Sequence, residues 1–350
     1  MAPGVMNVRR VPGPLLMATL LLAMAAALLW SATQGAYPVS WQRWPQWWQA
    51  WRDSSAWPQD AMVFGTLRLP RLLLGALVGA GLGLAGALMQ GLFRNPLADP
   101  GLIGVSSGAA LAAGVAIVAL GQWWPEAPRL LGSWTLMVAA ALGGWLATLL
   151  VVALARGEHG VRVGVMLLAG VAVNALAGAG IGLLGYVATD EQLRQYQMWM
   201  LGSLGGARWS VVAVMAVVVG CACAIGLALA RPLDVLALGE AQAVLMGVPL
   251  ARLKAGCVAV AAVVTGAVTA SVGMIGFVGL VAPHCVRLLA GPLHRWVIPG
   301  SAALGAVLVL VADAAARTWR SPAELPLGVL TALLGVPFLI GLLRRARRSL

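Results

Sequence analysis

Residues 68–101 read RLPRLLLGALVGAGLGLAGALMQGLFRNPLADPG, an apolar run that begins and ends with arginines. The part over 69–91 is long enough to cross a bilayer, because the hydrocarbon core takes about 20 helical residues. Within it, Gly75, Gly79 and Gly83 recur at four-residue spacing. Small residues let two helix backbones approach closely in lipid. The stretch therefore predicts a membrane-spanning helix with one face packed against another helix.

The rest of the chain repeats this pattern. Of 350 residues, 61% are hydrophobic and 10% are charged, which excludes a soluble domain with a charged surface. The lengths of the apolar runs favour helices over the short alternating strands of a barrel. We expect an all-α integral membrane protein forming a single domain over 1–350, with about ten spans, near 13–33, 69–91, 102–120, 130–155, 163–187, 209–230, 255–272, 277–290, 296–316 and 325–343.

Two of these spans need comment. The first follows Arg9 and Arg10 and resembles a secretory signal, but it is longer than a usual signal core and many spans follow it. We interpret it as a retained helix. The eighth contains Pro283 and ends near Arg287, so we expect it to be short or broken.

The arginines predict the orientation. Cytoplasmic loops of membrane proteins carry an excess of Lys and Arg. Placing the N-terminus inside puts most of the basic residues in cytoplasmic loops, and the C-terminus is then cytoplasmic too. The residues assigned to that side are Arg9, Arg10, Arg94, Arg156, Arg162, Arg231, Arg252, Lys254, Arg287, Arg295, Arg344, Arg345, Arg347 and Arg348.

This topology also explains the net charge of +12. A basic chain can bind nucleic acid. Here, however, the charges are spread over loops between helices and over the tail, so we expect membrane lipid and no nucleic acid as a partner.

Six tryptophans lie between Trp41 and Trp57, in a segment over 34–62 that we place outside. Tryptophan favours the membrane interface, so an interfacial turn or helix is favoured over an aromatic ligand cage.

Ionisable residues inside the spans are few. Asp313 lies four residues before Arg317, and we expect the two to form an ion pair within one helix. His284 could ligate haem iron, but a packing or backbone contact is the favoured interpretation. The four cysteines form no metal-ligand spacing with the three histidines, so no metal site is expected. The acidic relay that secondary transporters usually need is missing from the spans.

Several motifs carry a resemblance over about residues 68–343. They are RLPR at 68–71, RNPLADPG at 94–101, PLDVLALGE at 232–240, GFVGLVAPH at 276–284, Asp313 to Arg317 and ELPLG at 324–328. Together they resemble the permease subunits of ATP-driven, type II importers for iron-siderophore, haem and cobalamin. The resemblance implies a homodimeric bundle like that of the cobalamin importer permeases, in the bacterial inner membrane.

The resemblance also implies partners. Such a permease works with two ATP-binding subunits, a second copy of itself and a periplasmic substrate-binding protein. The chain has no GxxxxGK[ST] phosphate loop, which agrees with ATP and Mg being bound by the partner subunit. We therefore expect a transport subunit that is not an enzyme and that holds no cofactor of its own.

The same resemblance suggests roles for particular residues. Arg68, Arg71 and Arg317 match positions that receive acidic residues of the binding protein, although anchoring of helix ends remains an alternative. Asn95 and Leu97 match positions that narrow the cytoplasmic mouth, where a plain turn is the alternative. The loop over 231–252 resembles the pair of short helices that couples to the ATPase, and its expected contact residues are Leu236, Leu238, Gly239, Glu240, Ala241, Leu245 and Met246.

The substrate leaves few marks in the sequence. Asn174 is the only polar residue that we expect to line the pathway. The stretches 94–110 and 201–206 most resemble the haem importers of Gram-negative bacteria, whereas cobalamin permeases share much of them and siderophore permeases less. Haem is therefore the expected substrate, with cobalamin or a ferric siderophore as alternatives. A proton-coupled secondary transporter and a purely structural membrane scaffold are the alternatives from other classes.

Overall fold

The computed structural model describes residues 11–35, 41–53, 57–120, 132, 134–157, 160–319 and 324–348, and it is almost entirely helical. The helices are α1 (Gly13–Thr33), α2 (Trp44–Arg52), α3 (Gln59–Val63), α4 (Leu69–Phe93), α5 (Val105–Val115), α6 (Trp134–Ala155), α7 (Val163–Val187), α8 (Asp190–Met200), α9 (Trp209–Leu236), α10 (Glu240–Leu245), α11 (Leu250–Val272), α12 (Val278–Ala290), α13 (His294–Thr318) and α14 (Leu327–Arg348). One hairpin, β1 (Arg156–Gly157) with β2 (Gly160–Val161), joins α6 to α7.

Seven of the ten predicted spans are confirmed, because seven helices within the described residues are long and apolar enough to cross a membrane. Three shorter apolar helices lie where the third, eighth and tenth spans were expected. The bounds of α1 and α7 match the predicted ones, and α12 is short, with Pro283 inside it. Arg9 and Arg10, on which part of the predicted orientation depends, lie outside the described residues.

Several boundaries were wrong, among them the start of the seventh span, which was expected at residue 255 and lies at Leu250. The sixth span was expected to end at residue 230, but α9 continues through Pro232 to Leu236. The second span was expected to begin at residue 69, but helical backbone begins at Gln59 and reaches α4 through a wider π-type turn at Phe64–Arg68. A helical proline clashes with the carbonyl four residues earlier. The wider turn accommodates Pro70 at the start of α4, because it shifts that carbonyl.

The most buried helix is α4, which packs against α13, α9, α11 and α12. Its glycine stripe is the contact that the sequence predicted. A Cβ atom at Gly79 would overlap the backbone of Gly305, and one at Gly83 would overlap the carbonyl of Ser301. Only glycine lets α4 and α13 approach this closely. The core of the protein therefore forms around α4.

Some glycines of α7 differ from that pattern, whereas Gly170 and Gly180 face close neighbours as the α4 glycines do. A Cβ atom at Gly178 or Gly182 would meet no other part of the described chain. Leu168, Leu176 and Tyr186 on the same helix are 73%, 66% and 88% exposed. One face of α7 is thus left uncovered by the residues that the structure describes.

Part of the tryptophan-rich segment forms a helix, as expected. In α2, Trp47 is buried and stacks on Phe64, whereas Trp48 remains half exposed. Burial of one aromatic face with exposure of the other suits an amphipathic interfacial helix. Residues 36–40 and 54–56 of the predicted segment lie outside the described residues.

Candidate functional site

One end of the bundle carries a cluster of five charged side chains, Arg68, Arg71, Asp313, Arg317 and Glu324, which we name the arginine cluster. Arg71 Nη2 lies 2.8 Å from Asp313 Oδ1, and Arg71 Nη1 lies 2.7 Å from Glu324 Oε1. Arg317 Nε donates to Asp313 Oδ2 over 2.9 Å, which confirms the predicted i,i+4 pair. The structure therefore brings together the three arginines that the sequence singled out.

Two of these arginines also close the end of α1. Arg68 Nη1 donates to the Ala32 carbonyl, and Arg317 donates to the Ser31 carbonyl and hydroxyl and to the Gln34 carbonyl. The last carbonyls of a helix have no partner inside the helix. Arg68 and Arg317 supply donors at this end, so both have a structural role in holding the end of α1.

Burial limits what the cluster can offer to a partner. Arg68 and Arg317 are only 7% and 8% exposed. The side chain of Arg71 is 14% exposed, whereas that of Glu324 is 45% exposed. Glu324 thus covers Arg71 from the outer side. A carboxylate arriving from outside would meet Glu324 first.

The paired geometry changes the titration of Glu324. The hydrogen bond from Arg71 holds the pKa of this carboxyl below its usual range, against the opposing effect of partial burial. The positive charge of Arg317 lowers the pKa further. Glu324 therefore stays ionised and paired over the physiological pH range.

The opposite end of the bundle carries the predicted gate residues. The helix α4 ends at Phe93, and the next residue, Arg94, adopts a left-handed conformation with φ 51°. Asn95 Oδ1 then accepts a hydrogen bond from the Leu97 amide over 2.9 Å, forming a tight turn around Pro96. The Leu97 side chain is 38% exposed. Asn95 thus fixes the turn, and Leu97 is the side chain that the turn presents.

A cavity of about 290 Å³ lies beside this turn and is lined by Asn95 among other residues. Arg287 forms its wall and donates to Gln90 Oε1 over 2.5 Å. His294 lies across the cavity, and its Nδ1 is 2.7 Å from Asp234 Oδ1 at the end of α9. These contacts join α12 to α4 and α13 to α9 next to the turn.

Asn174 does not point freely away from the subunit. Its Oδ1 accepts a hydrogen bond from Ser107 Oγ over 2.6 Å, and its Nδ2 lies 3.5 Å from the Gly101 carbonyl. The side chain therefore joins α7 to α5 and to the segment after the turn. Its predicted place on a pathway stays a prediction.

The predicted coupling loop contains one short helix, α10, not the expected pair. The first of the two expected helices is absorbed into the extension of α9. Leu238, Leu245 and Met246 are 64%, 87% and 62% exposed. Leu236, which we had included among the contact residues, is 1% exposed and packs in the core, so its predicted contact is unavailable here. Val244, which we had not included, is 58% exposed.

Glu240 was expected to pair with a basic residue of a partner. Its carboxylate instead lies 3.0 Å from the Nζ of Lys254, near the start of α11. From the sequence, Lys254 was expected only to add to the excess of basic residues on the cytoplasmic side of the membrane. Glu240 and Lys254 are separated by only one short helix and a turn. This short separation was the signal that could have identified the pair.

The loop and the gate turn lie at the same end of the bundle. Trp209, at the start of α9, donates to the Gly65 carbonyl just before α4. The far end of α9 therefore reaches the far end of α4, where His294 packs against Gly91 and contacts Asp234. The arginine cluster lies at one end of the molecule, and the gate turn and coupling loop at the other.

Comparison with known proteins covers almost the whole chain. Residues 20–345 match the model of the FecCD transport family. The chain is 43% identical to the hemin transport system permease protein HmuU of Yersinia pestis over 343 residues, which cover 97% of this chain and 98% of that one.

Permeases for another substrate are also similar. The chain is 43% identical over 288 residues to the cobalamin import permease BtuC of Halobacterium salinarum, covering 82% of this chain and 75% of the relative. It is 40% identical over 304 residues to the vitamin B12 import permease BtuC of Escherichia coli strain HS, covering 85% and 89%. A solved structure described as an inward-facing metal-chelate type ABC transporter matches with a TM-score of 0.81 at 30% identity, covering 95% of this chain and 99% of that one.

Proposed function

The chain belongs to the FecCD transport family, and from that membership we propose that it is the membrane-spanning subunit through which haem enters the cell. That it is a permease of the ABC importer class follows from the family and from its near full-length relatives. The observation that carries the choice of haem is the 43% identity to the hemin permease over 97% of the chain. The cobalamin relatives are aligned over less of the chain.

The different residues at the two ends of the bundle support assigning each end to one side of the membrane. We assign the arginine cluster to the periplasmic side and the gate turn and coupling loop to the cytoplasmic side, so both termini are cytoplasmic. Arg94, Arg252 and Arg287 then lie at the inner side, in keeping with the excess of basic residues in cytoplasmic loops. The protein would reside in the bacterial inner membrane.

ATP would be bound and hydrolysed, with Mg, by separate subunits that dock on the coupling loop. The exposed apolar side chains of Leu238, Val244, Leu245 and Met246 support this role. An amphipathic helix that lays its apolar face in a groove is a recurrent mode of recognition. The coupling loop is held to the rest of the chain by the ion pair between Glu240 and Lys254. Its exposed leucine and methionine side chains are therefore available to fill such a groove.

A second copy of the chain would complete the pathway. The uncovered face of α7, with Gly178 and Gly182 open to close approach, supports a contact or a pathway wall formed by this helix. Asn174 belongs to the same helix, and its amide would reach the pathway only after leaving Ser107. Leu97, on its fixed turn, is the side chain best placed to narrow the inner mouth.

A periplasmic binding protein would dock at the arginine cluster. Arginine and carboxylate form bidentate, geometrically specific pairs. Because Arg68 and Arg317 are buried, we assign direct pairing to Arg71 and an ordering role to the other two. Docking would then require an incoming carboxylate to replace Glu324 on Arg71.

Cobalamin is the second candidate substrate, because permeases for it are 40% to 43% identical to this chain. A proton-coupled transporter is disfavoured by its need for a midplane acidic relay. Asp313, the acidic residue that the sequence analysis placed inside a span, is paired with Arg71 and Arg317. A structural scaffold would not need the exposed apolar coupling loop.

The substrate is tested with the assembled complex. The permease is purified with its ATP-binding subunits in nanodiscs, and ATP hydrolysis is measured with the binding protein loaded with haem, cobalamin or a ferric siderophore. We expect the haem-loaded protein to stimulate hydrolysis most. Stimulation by the cobalamin-loaded protein alone would assign the chain to cobalamin, and no association with an ATPase would reject the importer function.

A further inference from the structure

Lys254 is a buried cation that joins three separate elements. It lies in the second turn of α11 and is 8% exposed. Its Nζ is 3.0 Å from the Glu240 carboxylate, at the first residue of α10, and donates to the Val161 carbonyl over 3.3 Å. Val161 belongs to strand β2, two residues before α7 begins. One ammonium group therefore links α10, α11 and the start of α7.

Without the contact to Lys254, the backbone on either side of α10 would allow this helix to change its orientation. Gly239 precedes it with φ 123°, and Gly247 follows it with φ 77°, conformations that side-chain-bearing residues rarely adopt. The helix has six residues, and only Ala243 on it is buried. Such a short segment between two glycines is held in place mainly by the contacts that its side chains make. The contact between Glu240 and Lys254 is the ion pair that fixes it.

The burial of Lys254 makes this contact specific. A buried ammonium is costly unless it is paired, and removing the partner leaves the charge uncompensated. Lys254 is therefore constrained to keep both the carboxylate and the carbonyl. If α10 moves, Lys254 and the hairpin therefore move with it. The hairpin directly precedes α7, so the start of α7 moves as well.

We propose that Lys254 is a positioning residue that makes α10 and the start of α7 move as one unit, so that displacement of the coupling helix reaches the helix with the uncovered face. This inference rests on the proposed function, because it takes α10 as the helix that meets the ATPase. It replaces the partner that the sequence suggested for Glu240. Glu240 acts within the chain, and the exposed apolar residues meet the ATPase.

Charge exchange tests the proposal. The variants are Lys254→Glu, Glu240→Lys and the double exchange of both, each assembled with its ATP-binding subunits. The readouts are the basal hydrolysis rate, its stimulation by ligand-loaded binding protein, and ligand transported per ATP hydrolysed. We expect each single reversal to lower transport per ATP about tenfold, inside the range of coupling between contacting residues. The exchange should restore at least half of the wild-type ratio.

Further variants separate this role from others. Lys254→Arg keeps a charged donor and should stay within about twofold of wild type, because a guanidinium can reach both oxygens. Arg295→Glu, an exposed reversal on the same side of the bundle, is the matched control and should not change the ratio. If Lys254→Glu fails to accumulate in the membrane, Glu240→Gln carries the test, because the Glu240 side chain is 43% exposed.

The outcomes are distinct. Rescue by the exchange supports the pair as the coupling device. Loss in both single variants without rescue would assign Glu240 to direct ATPase contact and overturn the proposal, as would single variants with normal coupling. Failure of the proposed function is recognised separately, because the wild-type permease would then bind no ATPase or show no stimulation.

Discussion

The guanidinium of Arg71 and the carboxylate of Glu324 form a bidentate pair at the outer end of the bundle. Arg71 Nη1 donates to Glu324 Oε1 over 2.7 Å, and Arg71 Nη2 donates to Glu324 Oε2 over 2.9 Å. Arg71 at the same time contacts Asp313 beneath it. Glu324 thus occupies the outward donors of the arginine that we assign to docking. The protein carries its own carboxylate where a partner's carboxylate would bind.

Removing this internal competitor should strengthen docking. In Glu324→Gln, a neutral amide replaces the carboxylate, and Arg71 becomes available to the binding protein. We expect its affinity to rise about threefold to tenfold, a gain of about 0.7 to 1.4 kcal/mol. Affinity of the binding protein for the reconstituted complex, measured at low and high salt, checks this. Weaker docking would show that Glu324 itself orders the docking surface.

Asp313 should matter more for stability than any exposed acid. In Asp313→Asn, the buried guanidinium of Arg317 loses its carboxylate partner, and breaking a buried pair costs about 3 to 5 kcal/mol. Thermal unfolding in detergent should therefore show a large loss. The matched control is Asp53→Asn, whose pair with Arg52 is 4.0 Å apart and exposed, with an expected cost of about 0 to 1 kcal/mol. Equal effects of the two substitutions would contradict the structure.

The pH dependence of the Glu324 pair has a defined sign. Because the pKa of Glu324 is lowered from its ordinary value of 4.5 in the folded protein, its stabilising contribution is fully present above 4.5. It is lost as the pH falls through the lowered pKa. Wild type should therefore be more stable than Glu324→Gln at neutral pH, by about 1 kcal/mol or less for so exposed a partner. The unfolding midpoints of the two proteins should converge in acid, and a difference that grows as pH falls would be inconsistent with this.

The inner turn gives a prediction about the gate. If Leu97 narrows the mouth on the two-fold axis, Leu97→Cys should cross-link between two copies in one nucleotide state and not in another. Ala98, the next residue, is 1% exposed, so Ala98→Cys serves as the matched control and should not cross-link. Gel mobility after mild oxidation, in a variant with its native cysteines replaced, provides the measurement. Cross-linking that ignores the nucleotide state would remove the gate role.

Much of the fold could be predicted from the sequence, because lipid imposes simple rules. An apolar run of span length must form a helix, and α7 begins and ends where its run does. The glycine stripe of α4 predicted a close contact without naming the partner, which is α13. The extension of α9 through Pro232 was missed, since proline usually ends a helix.

The candidate sites were less predictable, because they depend on residues that are distant in the chain. The resemblance identified Arg68, Arg71 and Arg317, and the i,i+4 spacing identified Asp313. Nothing local showed that Glu324 would fold back on Arg71 or that Arg68 would reach the end of α1. In the same way, the motif around Glu240 suggested an external partner. Only the packing of α10 on α11 shows that Lys254 takes that place.

The most direct test of the account is uptake into proteoliposomes that contain the permease, its ATP-binding subunits and external haem-loaded binding protein. We predict haem accumulation inside that requires ATP in the compartment facing the coupling loop and that continues when proton and sodium gradients are abolished. Haem uptake driven by an ion gradient without ATP, or ATP-driven uptake of cobalamin with none of haem, would contradict it.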